Sequence, residues 1–304
     1  MKSKFVLSIV VVCLLMGVCA FAESGTPSAS VNGAVAHPEL VVSTQWLADH
    51  LSDPNLVIVY IGHDEGDYRK AHIPGSRYLA MDKFATDHMT KPGTELLPPD
   101  QLKKNLEAIG IGDDSRVVYY APDWDPMATR LFFTMDYLGH GNQAALLDGG
   151  LDQWVREKRP TSTETSTGKP ASLTIHLHPE IVATMDHMKT LVDHPAGDVV
   201  IVDARPSKRY RNGHLRGAES LYWENALVSE KEPLLKSPDQ LRQLFTAATV
   251  TGNKKVLSYC EVGLQASYVY MLARYLGFDA EMYDGSYSEW SDAKQPVVRG
   301  DSPQ

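Results

Sequence analysis

The chain repeats itself, and that constrains its fold more than any other feature. "VVSTQWLADHL" from Val41 has the apolar pattern of "IVATMDHMKTL" from Ile181, and "AHIPGSRYL" from Ala71 matches "GHLRGAESL" from Gly213. "PPDQL" from Pro98 matches "SPDQL" from Ser237, and "RVVYYA" from Arg116 matches "KVLSYC" from Lys255. "YLGH" from Tyr137 matches "YLGF" from Tyr275, and "LDGGLDQW" from Leu147 matches "YDGSYSEW" from Tyr283. Six motifs in one order at a nearly constant offset indicate a duplicated unit. The 304 residues, 43% hydrophobic and 22% charged, are enough for two domains that each bury a core. The expected boundaries are 40–159 for the first copy and 179–300 for the second. The linker between them, 160–178, begins with "PTSTETSTGKPAS", which has no apolar period and reads as exposed.

Within each copy, short apolar runs alternate with helical patterns. "DVVIVDA" (Asp198 to Ala204) and "KVLSYC" (Lys255 to Cys260) are continuous apolar runs between polar turns, as strands buried on both faces require. "SPDQLRQLFTAATV" opens with a helix-start signal and spaces Leu241, Leu244 and Phe245 at helical intervals. "LQASYVYMLARYLG" places Leu264, Tyr268, Met271, Leu272 and Tyr275 on one side and stops at Gly277. Strand followed by helix, repeated, predicts an α/β fold in which each copy is a parallel sheet flanked by helices. Ligands of such sheets bind at the carboxyl ends of the strands.

The amino terminus reads as a secretory signal peptide, residues 1–22. Lys2 and Lys4 precede an uncharged apolar run that ends in Ala20-Phe21-Ala22. The alternative is a short membrane anchor. With cleavage, the protein is exported, to the periplasm if the source is Gram-negative and otherwise secreted, and has no stable membrane association. The formal net charge of −9 becomes −11 once Lys2 and Lys4 are lost. So acidic a chain is not expected to bind nucleic acid, which calls for a basic face. Cleavage also removes Cys13 and Cys19 and leaves Cys260 alone. An unpaired thiol in an exported protein is a candidate for thiol chemistry, the alternative being an inert buried cysteine.

The surroundings of Cys260 favour chemistry. It ends a predicted strand, and Glu261, Val262, Gly263, Leu264 and Gln265 lead into a helix. Unpaired backbone N–H groups at a helix N-terminus carry partial positive charge, and a tight loop through Gly263 can turn several inward. A thiolate there is expected to have a lowered pKa. Cysteine phosphatases use a similar strand–loop–helix with an arginine six residues after the cysteine, but Ala266 occupies that position here. A papain-like hydrolase needs an imidazole close in space, which sequence alone neither supplies nor excludes. Neither a phosphate-binding nor a dinucleotide-binding glycine motif is present. His176-x-His178 could share one face of a linker strand, but a metal site needs more ligands, and none is expected.

From about residue 40 to 300 the chain resembles the tandem-domain rhodaneses, sulfurtransferases of the thiosulfate and 3-mercaptopyruvate type. The resemblance rests on the loop "CEVGLQ", on "DARPSKRY" after the first strand of the second copy, on "HIPGS" and "HLRGA", and on "DGSYSEW". It implies two rhodanese-like domains and a Cys260 persulfide, formed from a small anionic sulfur donor. A thiol or cyanide acceptor, for which a redox protein is one candidate, then takes the sulfur. No cofactor is implied. Glu261, Val262, Gly263, Leu264 and Gln265 match the amide cradle. Arg209 matches the arginine that approaches the substrate, and Asp203 and Arg205 match a supporting ion pair. Two further readings of the chain stay open: a persulfide carrier without turnover, and a docking module with an inert cysteine.

The first copy has Ala121 at the cysteine position, followed by Pro122-Asp123-Trp124-Asp125-Pro126. It is expected to be catalytically silent and to form one wall of the cleft, with two acids that repel anions. His72, His214, Trp154 and Trp290 are read as structural, the tryptophans beginning or capping a final helix. The loop also departs from both family patterns. Thiosulfate-preferring loops carry basic residues after the cysteine, and mercaptopyruvate-preferring loops a serine two positions on, where this chain has Glu261 and Val262. An acid at Glu261 is expected to disfavour dianionic donors unless it points outward.

Overall fold

The computed structural model describes residues 35–87, 93–122, 126–229 and 231–303. Residues 1–22, read above as a signal peptide, and Asp123, Trp124 and Asp125 lie outside them. The first copy runs β1 (Val41–Val42), α1 (Thr44–His50), β2 (Leu56–Gly62), α2 (Glu65–Lys70), β3 (Arg77–Ala80), α3 (Pro99–Ala108), β4 (Arg116–Tyr120), α4 (Met127–Tyr137), β5 (Ala144–Leu147) and α5 (Gly150–Arg156). The second runs β6 (Val182–Ala183), α6 (Met185–Asp193), β7 (Val199–Asp203), α7 (Ser207–Asn212), β8 (Glu219–Ser220), the hairpin β9 (Leu227–Ser229) and β10 (Glu232–Leu235), α8 (Pro238–Ala247), β11 (Lys255–Tyr259), α9 (Leu264–Leu276), β12 (Ala280–Tyr283) and α10 (Ser286–Asp292).

Both sheets are parallel and have the same strand order, β1-β5-β4-β2-β3 in one copy and β6-β12-β11-β7-β8 in the other. The central strands β2, β4, β7 and β11 are almost wholly buried, as their unbroken apolar runs require. Helix α8 starts at the expected signal: Ser237 and Gln240 close a capping box, and Leu241 and Phe245 face the core.

The copies share one apolar core, with α4 and α9 packed against each other between the sheets. Equivalent residues meet there, Thr129 and Ser267 bonding through their hydroxyls at 2.8 Å. Each copy's Asp-Gly aspartate reaches across to a matching backbone N–H: Leu96 donates to Asp284 at 2.9 Å, and Leu235 donates to Asp148 at 2.8 Å. Tyr270 donates to Asp136 at 2.7 Å, and the buried Arg130 pairs with Asp284. This interface corrects the one-sided reading of α9. Every residue from Ala266 to Ala273 is buried, because the face opposite its own sheet meets α4.

Residues 160–172 are mostly exposed, but the linker is not a free tether, and Leu173 is buried in the core. Residues 162–174 are fastened along the first copy by backbone bonds from His72 to Ser162 and from Ala171 to Glu107, and by Thr174 on Asp113. His176 and His178 lie in extended chain outside any sheet ladder, held by the carbonyls of Leu138 and Tyr137, so the expected linker strand is absent. Neither belongs to a group of three or more His, Cys, Asp or Glu placed to hold a metal among the described residues.

His72 and His214 are fully buried and play matching parts. Each bonds the carbonyl four residues before it and stacks on the tyrosine there, Tyr68 or Tyr210. Each also bonds a carbonyl of the segment that follows its domain, at Glu164 or Ser302. Trp154 and Trp290 are core residues inside α5 and α10 rather than at their starts, and each indole N–H reaches a proline carbonyl six residues on.

Candidate active site

Cys260 lies one residue beyond β11 rather than within it, at the strand's carboxyl end. The loop after it turns at Gly263, whose φ of +89° is the left-handed region that favours glycine. A Cβ on Gly263 would meet the Asp284 carbonyl oxygen at 3.0 Å and Arg130 Nη1 at 3.2 Å. The domain interface thus sets the shape of the loop from behind. Helix α10 ties down its front: Tyr287 donates to the Cys260 carbonyl at 2.9 Å, Ser288 donates to that of Glu261 at 3.0 Å, and the Ser286 hydroxyl accepts from the Cys260 N–H at 3.2 Å. The "DGSYSEW" motif is therefore part of the site's frame.

The thiol is 1% exposed and faces a cavity of about 470 Å3. The Gly263 N–H donates to its sulfur at 3.1 Å. Burial pushes the Cys260 thiol up, and hydrogen bonds from the N–H groups of Ala266, Val262, Gly263 and Gln265 pull it back without reversing the shift. This corrects the expectation of a lowered pKa, because the cost of ionising a buried sulfur exceeds the gain from the amide dipoles. Ala266, one residue past the expected loop, is among the amides that pull the thiol back. The side chains of Glu261 and Leu264 line the cavity together with Val262 and Gln265.

Asp203 and Arg205 form a fully buried pair, Nη2 to Oδ2 at 2.7 Å and Nε to Oδ1 at 3.0 Å. Tyr259 donates to Asp203 at 2.7 Å, Arg205 donates to the Gly213 carbonyl, and its guanidinium lies 3.9 Å from the Tyr287 ring centre. Burial works against this cation, but Asp203 holds it above the usual arginine range. In the first copy Tyr60 stands at the sheet position of Asp203, so the ion pair belongs to the cysteine-bearing copy. Arg209 is exposed, and its Nη1 bonds Glu261 Oε2 at 2.9 Å, with Arg205 Nη1 3.4 Å from the same oxygen. Glu261 therefore neither points free into solvent nor stands as an isolated negative charge.

Some of the cavity lining was not anticipated from sequence. Trp223 and Glu224 follow β8, and Pro206 precedes α7. The rule that ligands collect at the carboxyl ends of strands would have found the first two. Pro126 is the described residue that the first copy contributes, and Ala121 is buried where a thiol would stand. No histidine lines the cavity among the described residues, so the papain-like arrangement has no imidazole there.

The rhodanese-like domain model matches residues 43–157 and 186–293. The sulfur carrier protein TtuD of Thermus thermophilus is 27% identical over 287 residues, covering 88% of this chain and 99% of that protein. The 3-mercaptopyruvate sulfurtransferase of Homo sapiens is 28% identical over 292 residues, covering 86% of this chain and 96% of that one. In fold, the chain superposes on the 3-mercaptopyruvate sulfotransferase SseA of Escherichia coli with a TM-score of 0.72 at 23% identity, over 82% of this chain and 99% of that one. With the domain matched twice and its cysteine kept in one copy, the chain belongs to the rhodanese family.

Proposed function

We propose that the protein is a sulfurtransferase that carries sulfane sulfur on Cys260. The observation that carries this reading is the cysteine itself, buried against a cavity at the carboxyl end of a strand with the Gly263 N–H bonded to its sulfur. The Cys260 sulfur attacks the outer sulfur of a donor, the donor's S–S bond breaks, and the remainder leaves with the electron pair. With thiosulfate the leaving group is sulfite. The persulfide's terminal sulfur is anionic, and fixed amide dipoles stabilise such a charge without reorganising. An acceptor thiolate or cyanide then takes that sulfur, and the Cys260 thiolate is released.

In this reading Asp203 and Arg205 are positioning residues that brace the loop through Tyr259, Gly213 and Glu261. Arg209 meets the anionic donor only by exchanging Glu261 for it. The first copy, 40–159, is silent and closes part of the cavity, and the second, 179–300, carries the chemistry. Cleavage of residues 1–22 delivers the protein beyond the cytoplasmic membrane. Incubation with thiosulfate and cyanide tests the reading: thiocyanate should accumulate over many turnovers in the wild type and be absent with Cys260→Ala. A second reading, a carrier that accepts sulfur without turnover, is favoured by the relative named a sulfur carrier protein. Stoichiometric loading of Cys260 with no thiocyanate beyond one equivalent identifies it.

A further inference from the structure

The charges around Cys260 say which reactants its cavity admits. Among the described residues, the charged side chains lining it are Arg209, Glu261 and Glu224. Arg209 and Glu261 neutralise each other at 2.9 Å. Glu224 remains. It sits in the short 3-10 turn Trp223–Ala226 just past β8 and is half-buried, and its carboxylate has no hydrogen-bond or ion-pair partner among the described residues. Among the described residues, the one cation lining the cavity is already engaged, so their charges sum to a net negative contributed by Glu224.

We infer that Glu224 is a specificity-determining residue that admits thiols bearing a positive amino group, and that the sulfur acceptor is a small aminothiol. This rests on the proposed persulfide chemistry and names its acceptor class. The ammonium faces the Glu224 carboxylate. The acceptor thiolate attacks the outer sulfur of the Cys260 persulfide, a new S–S bond forms on the acceptor, the old one breaks, and Cys260 leaves as thiolate. No oxidant or reductant is consumed. An acceptor with only negative charge meets Glu224 unfavourably and gains Arg209 only by displacing Glu261.

The test reads access to Cys260 without relying on sulfur transfer. Methanethiosulfonate reagents with a trimethylammonium, neutral or sulfonate tail are reacted with the full-length protein, and the rate is followed on the Cys260 peptide by mass spectrometry. Each rate is divided by that of the same reagent with free 2-mercaptoethanol. The normalised cation-to-anion ratio should exceed one in the wild type and fall about tenfold in Glu224→Gln, the effect of one nearby charge acting oppositely on the two tails. Glu224→Asp should keep most of the ratio. Equal ratios in wild type and Glu224→Gln overturn the inference, as does failure of all three reagents to reach Cys260. If donor loading then shows no persulfide while the ratio behaves as expected, the sulfur-transfer reading fails and the cavity's charge selectivity stands. If the persulfide forms, cysteamine should discharge it faster than 3-mercaptopropionate, with the difference reduced in Glu224→Gln.

Discussion

Arg209 and Glu261 pair at 2.9 Å on the wall of the Cys260 cavity, so the loop's acid is held by the cation expected to meet the substrate. Replacing Glu261 by Gln frees Arg209 and removes a negative charge beside the sulfur. The turnover efficiency with thiosulfate should rise about tenfold in Glu261→Gln. Both partners are substantially exposed, so stability should change by no more than about 1 kcal/mol. Steady-state thiocyanate assays and chemical denaturation check the two halves separately. An unchanged efficiency would mean that Arg209 plays no part in donor binding.

Asp203 is the buried bidentate partner of Arg205, bonded at 2.7 Å. Asp203→Ala leaves the guanidinium with only the 3.4 Å contact to Glu261 for counter-charge and Tyr259 without its acceptor. The expected cost is about 3 to 5 kcal/mol, read as a shift in the denaturation midpoint. A loss below about 1 kcal/mol would contradict the bracing role given to the pair.

Gly263 holds a left-handed turn against the domain interface. Gly263→Ala places a methyl 3.0 Å from the Asp284 carbonyl oxygen at a φ of +89°. The backbone strain alone should cost about 1 to 2 kcal/mol. Because the Gly263 N–H bonds the Cys260 sulfur, thiol labelling should change together with stability. Cys260 reactivity indistinguishable from wild type would separate the turn from the cradle.

Burial outweighs the amide dipoles at Cys260, so the free thiol should ionise above the ordinary range. Its labelling by iodoacetamide should keep rising with pH past about 8.5, the usual thiol value. A rate already at its plateau below that pH would show that the amides win.

Glu95 is pushed up to about 7, first by burial and then by the nearby Asp284 and Glu289, with Arg130 acting in opposition. A carboxyl whose pKa is raised on folding favours the folded state while protonated. That contribution is complete below the ordinary glutamate range and is lost as pH climbs to about 7. Stability should therefore fall across that window, and Glu95→Gln should flatten the fall. Denaturation midpoints at intervals between pH 4 and pH 8 measure it.

The repeat, the parallel sheets, the helices around Pro238 and Leu264 and the place of Cys260 were legible in the sequence, because each follows from local periodicity or spacing. The depth of α9 was not, since its outer face is covered by α4, more than a hundred residues away in the chain. The direction of the Cys260 pKa shift was missed for a related reason: amide dipoles are local and can be read from a loop, whereas desolvation depends on everything packed around the sulfur. Glu261 read as an isolated charge because its partners Arg205 and Arg209 lie 56 and 52 residues away. Glu224 carries no motif at all. Only the fold brings the turn after β8 to the loop after β11.

If sulfur passes through Cys260, exposure to a sulfane donor leaves its mark there, and intact-mass and peptide analysis reads it. The Cys260 peptide should gain about 32 Da, one sulfur atom, and lose it on adding cyanide as thiocyanate appears. Thiocyanate turnover at the wild-type rate in Cys260→Ala would contradict that route.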